Sequence, residues 1–103
     1  FFSNYAAAEY IGNVEFQKIF VDNNWCYVQV DDDVSNTCSY FRYRFKFNAT
    51  TSQGKLMYSA LLMSQALKKK IDLWYTASSA VGTNETNGCN PTSIAEAYAI
   101  AIQ

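Results

Sequence analysis

The feature that most restricts the fold is a strict alternation of apolar and polar side chains from Tyr40 to Asn48. A period of two places alternate side chains on opposite faces of a strand. The segment therefore predicts a β-strand with one face in the core. The predicted inner side consists of Phe41, Tyr43, Phe45 and Phe47, and the predicted outer side of Tyr40, Arg42, Arg44, Lys46 and Asn48.

Four further segments alternate with a period of two, and they predict strands over 10–21, 25–31, 71–76 and 93–102. One segment, 54–70, instead has apolar residues at spacings of three and four, which predicts a helix. Thr51 or Ser52 can cap its start, and the lysines at 68–70 complement the dipole at its end. The predicted order is three strands, one helix and two strands.

This order predicts a mainly β domain with one helix, organised as a five-stranded Greek-key barrel of the OB-fold type. A split sandwich of sheet and helix is the alternative. We expect one domain over 10–103 behind an N-terminal arm over 1–9, with a long loop over 77–92. The rings predicted to fill the core are Phe16, Phe20, Phe41, Tyr43, Phe45, Phe47 and Tyr98.

The composition narrows the function. Aromatic residues make up 17% of the chain and charged residues 17%, which is typical of a folded domain and not of a disordered one. The formal net charge of −1 disfavours a protein that binds nucleic acid mainly through phosphates. The chain has no histidine, so catalytic arrangements and zinc sites that need one are excluded. We therefore expect a binding protein without a cofactor, not an enzyme.

The three cysteines point to two different environments. Cys38 and Cys89 lie in polar, turn-forming segments, which favours a disulfide between them and an oxidising compartment. We accordingly predict a secreted or periplasmic protein, with three reduced cytosolic thiols as the alternative. Cys26 alternates with Val28 and Val30, which predicts a buried free thiol. No run reaches the length of apolar residues that spans a membrane.

The acidic residues do not predict a metal or catalytic site. The aspartates at 31–33 are adjacent, whereas the ligands of a calcium loop alternate, so a solvated turn is the better interpretation. Asp72 and Glu96 could pair across two strands, but nothing in the sequence supplies the cleft that glycosidase chemistry requires.

The outward aromatic and arginine side chains are the candidate binding surface. Trp25 and Tyr27 should lie outward beside Tyr40, Arg42 and Arg44 on the neighbouring strand. Rings beside guanidinium groups suit a sugar with a carboxylate, stacked bases or a protein interface. A protein interface, a glycan site and an incidental surface therefore all remain open, and single-stranded nucleic acid is the least favoured ligand.

Several runs resemble the B subunits of bacterial AB5 toxins of the subtilase-cytotoxin and pertussis-like type. The runs are 10–14, 25–30, 54–62 leading into 69–75, and 89–94. This resemblance implies a secreted OB-fold subunit that assembles as a ring of five and binds sialylated glycans. Trp74 and Tyr75 match an aromatic pair of that family. Ile11 stands where the family has a serine that contacts the glycan, and it cannot form that hydrogen bond.

Two functional hypotheses follow. The first is a non-catalytic binding module that resembles toxin B subunits and recognises a host glycan or a partner protein. The alternative is a small secreted or periplasmic domain that binds one partner protein. The predicted binding residues are Trp25, Tyr27, Tyr40, Arg42, Arg44, Trp74 and Tyr75.

Overall fold

A computed structural model describes residues 8–32, 37–78 and 88–103. Most of the predicted N-terminal arm and parts of the predicted connections at 31–39 and 77–92 lie outside these residues. The described residues form six strands, one α-helix and one short 3-10 helix. The elements are β1 (Ala8–Val14), β2 (Phe16–Asp22), β3 (Trp25–Val30), β4 (Phe45–Asn48), α1 (Ser52–Leu67), β5 (Ile71–Thr76), the 3-10 helix (Pro91–Ser93) and β6 (Ala95–Ile102).

All six strands belong to one sheet in the order β1-β5-β6-β4-β3-β2. Neighbouring strands are antiparallel, except that β4 and β6 are parallel. The prediction of a mainly β fold with one helix is confirmed. The predicted closed barrel of five strands is wrong, because β1 and β2 form the two edges of an open sheet in the described residues.

The sixth strand arises because the predicted strand over 10–21 divides at Glu15. The ladder between β1 and β5 shifts register between Ile11 and Val14, and Asn13 has a φ of 60°. Such a bulge bends a strand and changes its direction. As a result, β1 pairs with β5 while β2 pairs with β3, although only Glu15 separates the two strands in sequence.

A second bulge explains why Phe20 is not in the core. The ladder between β2 and β3 shifts between Phe16 and Lys18, so the alternation of faces changes phase there. Phe16 is buried, but Phe20 lies on the opposite face and is 49% exposed. The prediction of a core position for Phe20 is therefore wrong.

The strand predicted over 40–48 is shorter than its alternation indicates. Only Phe45–Asn48 is a strand, and the preceding residues form a tight turn. Phe41 and Arg42 have consecutive positive φ values of 52° and 72°, which interrupt the extended backbone of a strand. Phe45 and Phe47 are buried as predicted, whereas Phe41 is 75% exposed instead of filling the core, and Tyr43 is half-buried.

Helix α1 begins and ends earlier than predicted. The Thr51 hydroxyl accepts a hydrogen bond from the Gly54 N–H at 2.8 Å, so Thr51 is the N-cap. Lys68 adopts the left-handed conformation and ends the helix, so the lysines at 68–70 follow it instead of forming its last turn. The buried face of the helix contains Met57, Leu61 and Ser64.

In the first half of β6 the alanines point inward, contrary to the prediction that Tyr98 is in the core. Ala95 and Ala97 are buried, and Tyr98 is 44% exposed. In the sheet, Ala95 pairs with Phe45 and Ala97 pairs with Tyr75. The rings of Phe45 and Tyr75 meet edge to face at 4.9 Å and occupy the space that a large side chain on β6 would need.

The core lies between the sheet and α1. Its members are Val14, Phe16, Cys26, Val28, Val30, Phe45, Phe47, Met57, Leu61, Ile71, Leu73, Tyr75, Ala95 and Ala97. Among the described residues, no helix has the length and apolar character needed to cross a bilayer, and no group of three metal-ligating side chains occurs.

Candidate functional site

Five aromatic side chains surround a half-open cavity of about 400 Å³ at one end of the sheet. We call this site the aromatic pocket. Its volume falls within the range of cavities that hold small ligands, about 300–1,000 Å³. The rings come from β2, from β3 and from the turn before β4. They are Phe20, Tyr27, Tyr40, Phe41 and Tyr43.

The hairpin of β2 and β3 supplies the first two rings. Asn23 and Asn24 connect the strands with φ values of 50° and 73°, the backbone that a two-residue hairpin requires and asparagine tolerates. The hairpin register places Phe20 opposite Tyr27, and their ring centroids are 6.0 Å apart. Both rings lie on the outer face, because the buried positions of β3 alternate with Tyr27.

A turn from Tyr40 to Tyr43 supplies the other three rings. The Tyr43 N–H donates a hydrogen bond to the Tyr40 carbonyl at 3.0 Å, and the two residues form an isolated β-bridge. This closure places Phe41 at the tip, where its ring meets that of Tyr40 at 4.6 Å. The ring of Tyr43 lies 5.9 Å from that of Phe20. The rings of the turn and of the hairpin are therefore neighbours in one pocket.

A disulfide holds the base of the aromatic pocket. Cys38 and Cys89 are bonded, as predicted, with Cα atoms 5.4 Å apart. Both cysteines are fully buried with Ile94, and Tyr27, Tyr40 and Tyr43 pack against this cluster. Since 51 positions separate the two cysteines, the bond fastens the turn before β4 to the segment that leads into the 3-10 helix. Pro91 and Ile94 of that second segment also line the pocket.

One carboxylate lies among the rings. Asp22, the last residue of β2, lines the aromatic pocket and is exposed to solvent. The pKa of Tyr27 is raised above its ordinary value by desolvation and by the negative charge of Asp22. No lysine or arginine occurs among the described residues that line the pocket. The pocket thus combines π-electron faces with a single negative charge.

The structure brings only two of the seven predicted binding residues, Tyr27 and Tyr40, into this pocket. Arg42 lines a separate polar groove with Gln17, Gln29 and Lys68. Arg44 is half-buried between the turn and β4. Tyr75 is 4% exposed and belongs to the core, so its side chain does not lie on the surface.

Trp25 lies beside the pocket and contacts a lysine. The Lys46 Nζ stands 5.1 Å from the centre of the Trp25 ring. The same ammonium donates to the carbonyls of Pro91 and Thr92 at 3.2 and 3.0 Å. Desolvation lowers the pKa of Lys46, and the nearby Glu96 opposes that shift. Lys46 therefore links the 3-10 helix to β4, and the ring of Trp25 contacts the same ammonium group.

Trp74 lies elsewhere, at the contact between β1 and β5. Its ring is 5.0 Å from that of Tyr10, which is 54% exposed. Beside them, the Asp72 carboxylate accepts hydrogen bonds from the Asn13 N–H and the Gln103 side chain. This arrangement is a second exposed aromatic surface with one carboxylate, and we call it the Tyr10–Trp74 surface.

Sequence reasoning missed Phe20, Phe41, Tyr43 and Asp22 as members of the site, and it assigned the three rings to the core. Phe20 and Phe41 each belong to a run in which apolar and polar residues alternate, and residues in such positions are expected in the core. Asp22 precedes two asparagines and has the pattern of a turn residue. The local signal that could have revealed the site is Asp22-Asn23-Asn24, which predicts a tight hairpin and thus places Phe20 opposite Tyr27.

Comparison of the chain with known protein families, with curated proteins and with solved structures finds no match in any of the three.

Proposed function

We propose that this chain is a non-catalytic binding module whose aromatic pocket receives a side chain of a partner protein. One observation carries the proposal: the rim rings Phe20 and Phe41 leave 49% and 75% of their surface in water around a ready-made cavity. Exposing contiguous apolar surface is unfavourable unless a ligand covers it.

Binding accounts for this site better than catalysis does. The chain has no histidine, which is the commonest general base, and the rings contribute contact area and phenolic hydroxyl groups. Aromatic side chains are enriched in protein interfaces because they bury a large area with little loss of rotamer entropy. The exposed rim favours a protein partner, since a macromolecule can cover the rings outside the cavity as well as those inside.

The disulfide supports the proposed location. Disulfides persist in oxidising environments and are rare in the cytosol. The Cys38–Cys89 bond holds the base of the pocket, so the site depends on it. We propose a secreted or periplasmic protein on this basis.

The proposal includes a relationship to OB-fold subunits of the toxin B type. If β1 and β2 are counted as one strand interrupted at Glu15, the order is three strands, one helix and two strands. This order of elements is that of the OB-fold, and it is the observation that supports the proposed relationship.

The resemblance further suggests an assembly of several copies, five in a toxin-like ring. Exposed apolar side chains along α1 support self-association. Leu56, Met63 and Leu67 follow one another at spacings of seven and four, which places them on one stripe of the helix. Analytical ultracentrifugation would test this part, with a strictly monomeric protein as the contradicting result.

A second candidate function is glycan binding at the Tyr10–Trp74 surface. The exposed ring of Tyr10 beside Trp74 can stack on the C–H face of a sugar, because aromatic faces carry partial negative charge. The Asp72 carboxylate lies within hydrogen-bonding reach of the same area and could accept from sugar hydroxyls. A glycan array with a Trp74→Ala control would test it.

NMR titration of the aromatic pocket tests the leading proposal. The probes are acetyl-arginine amide, acetyl-lysine amide, acetyl-citrulline amide and acetyl-phenylalanine amide, which represent protein side chains. We expect at least one probe to saturate and to shift the amide signals of the pocket. The Phe41→Ala variant should lose this binding, whereas Tyr98→Ala, which removes an exposed ring outside the pocket, should keep it. The proposal fails if no probe shifts the pocket signals.

A further inference from the structure

The aromatic pocket has an unusual pairing of chemical groups, in that many rings accompany one negative charge. Five rings and the Asp22 carboxylate line it, and none of its described lining residues is basic. Each ring presents a negative electrostatic face, which attracts a cation placed over it within about 6 Å. The carboxylate adds a full negative charge at the edge of the same cavity.

The negative potential of the ring faces and of the Asp22 carboxylate makes binding depend on the charge of the ligand. An anionic group would meet Asp22 and the ring faces together, and none of the described residues that line the pocket is basic. A neutral group would gain ring contacts but no charge attraction to the carboxylate. A cation is attracted both by the ring faces and by the carboxylate of Asp22. The raised pKa of Tyr27 reflects the same environment, since desolvation and the charge of Asp22 both oppose ionisation of its hydroxyl.

The chemistry of the two protein cations favours guanidinium over ammonium. An ammonium group is strongly hydrated, so transfer into a cavity lined with rings is unfavourable. Guanidinium is planar and weakly hydrated, stacks on aromatic faces and can donate two parallel hydrogen bonds to one carboxylate. Arginine is also enriched in protein interfaces, whereas lysine is depleted.

We infer that the aromatic pocket receives an arginine side chain of a partner protein, with its guanidinium on the rings of Phe20, Tyr27 and Tyr43 and its N–H groups directed to Asp22. This inference rests on the proposed function, because it specifies the side chain that the pocket binds. It also excludes a sialylated glycan from this pocket, because the sugar carboxylate would lie beside Asp22. Phe41, at the tip of its turn, would cover the aliphatic part of the arginine.

A comparison of acetyl-arginine amide with acetyl-citrulline amide tests the inference directly. Citrulline has nearly the same shape as arginine, but its ureido group is neutral. NMR titration should show that the arginine probe binds at least about tenfold more tightly. Acetyl-lysine amide should bind more weakly than the arginine probe. Binding of the arginine probe should weaken as sodium chloride is raised, because salt screens the attraction to Asp22.

Two variants separate the contribution of charge from that of shape. Asp22→Asn should reduce the preference for arginine over citrulline to about threefold or less, with the remainder from cation–π attraction. Asp32→Asn is the matched control, since it removes an exposed carboxylate that does not line the pocket. It should leave the preference unchanged.

The outcomes distinguish the two proposals. Equal binding of arginine and citrulline at the pocket would overturn the inference and would leave the proposed function intact. Tighter binding of lysine than of arginine would overturn the choice of guanidinium. If no probe in the panel shifts the pocket signals, the proposed function itself fails.

Discussion

The carboxylate of Asp72 accepts a hydrogen bond from the backbone N–H of Asn13, with 3.0 Å between the nitrogen and Oδ1. This contact joins β5 to the bulge through which the chain leaves β1. Asn13 has a φ of 60°, so the carboxylate supports a backbone conformation that asparagine tolerates better than most residues. The side chain of Gln103 donates to the same oxygen at 2.7 Å. One acidic residue thus connects the bulge, β5 and the end of β6.

Replacing Asp72 with asparagine should make the stability of the protein less dependent on acid pH. The pKa of Asp72 lies below its ordinary value, because the Asn13 N–H, the Gln103 amide and the Tyr10 hydroxyl donate to the ionised carboxylate. A lowered pKa in the folded state stabilises the protein above the unfolded pKa, about 3.9. This stabilisation is lost as the pH falls through the folded pKa.

Urea unfolding at neutral and acid pH measures this effect. The wild-type protein should be more stable than Asp72→Asn near neutral pH, and the difference should shrink below about pH 4. Gln103→Ala should lose part of the same pH-dependent difference, since it removes one donor. A difference that stays constant with pH would contradict the prediction.

Removing the disulfide should destabilise the protein strongly. A bond that closes a loop of this size lowers the entropy of the unfolded chain, and the chain-entropy treatment gives about 4 kcal/mol. We expect the double variant Cys38→Ala/Cys89→Ala to lose about that much free energy of unfolding and to lose the order of the pocket rings. The control is a reductant, which should destabilise the wild-type protein and leave the double variant unchanged.

A methyl group at position 54 should disturb the start of α1. A Cβ atom on Gly54 would collide with the backbone carbonyl oxygen of Asn48, the last residue of β4. Because backbone must move to relieve this clash, we expect Gly54→Ala to lower the free energy of unfolding by about 1–3 kcal/mol. Ser59→Ala, at an exposed position of the same helix, should be neutral or slightly stabilising. Equal effects of the two variants in thermal unfolding would contradict this account.

A glycine at position 42 should stabilise the turn of the aromatic pocket. Arg42 has a φ of 72°, a conformation that costs a residue with a Cβ atom roughly 1–2 kcal/mol and costs glycine little. We therefore expect Arg42→Gly to raise the free energy of unfolding by about 1 kcal/mol. Lys55→Gly is the comparison, because glycine within a helix should lower stability by about 1 kcal/mol. A decrease in stability for Arg42→Gly would show that the arginine side chain stabilises the turn by more than its backbone strain costs.

Much of the local structure was predictable, because it depends on short-range periodicity and on residue chemistry. The alternation at 71–76 predicted a strand, and β5 has these bounds, with Ile71 and Leu73 buried. Thr51 was a recognisable helix cap. The cysteines at 38 and 89 stood out because each lay in a polar segment unsuited to a free buried thiol.

The candidate site was only partly predictable. Tyr27 and Tyr40 were identified as surface rings and do line the pocket. Phe20 was assigned to the core because a bulge between Phe16 and Lys18 leaves no signature in the alternation itself. Phe41 was assigned to the core because no glycine or asparagine marks its turn, although two consecutive positive φ values form it. Tyr75 was assigned to the surface, yet it completes the core against Phe45.

The amino-acid sequence by itself determined that the fold is mainly β with one capped helix, and that Cys38 pairs with Cys89. These follow from periodicity, capping chemistry and the contrast between polar and apolar segments, which act over a few residues. Only the tertiary structure decided that the sheet is open with six strands, and that rings from two distant segments meet around Asp22. The reason is physical: a bulge or a turn reverses the face of every following side chain, and packing against distant strands selects where that reversal occurs.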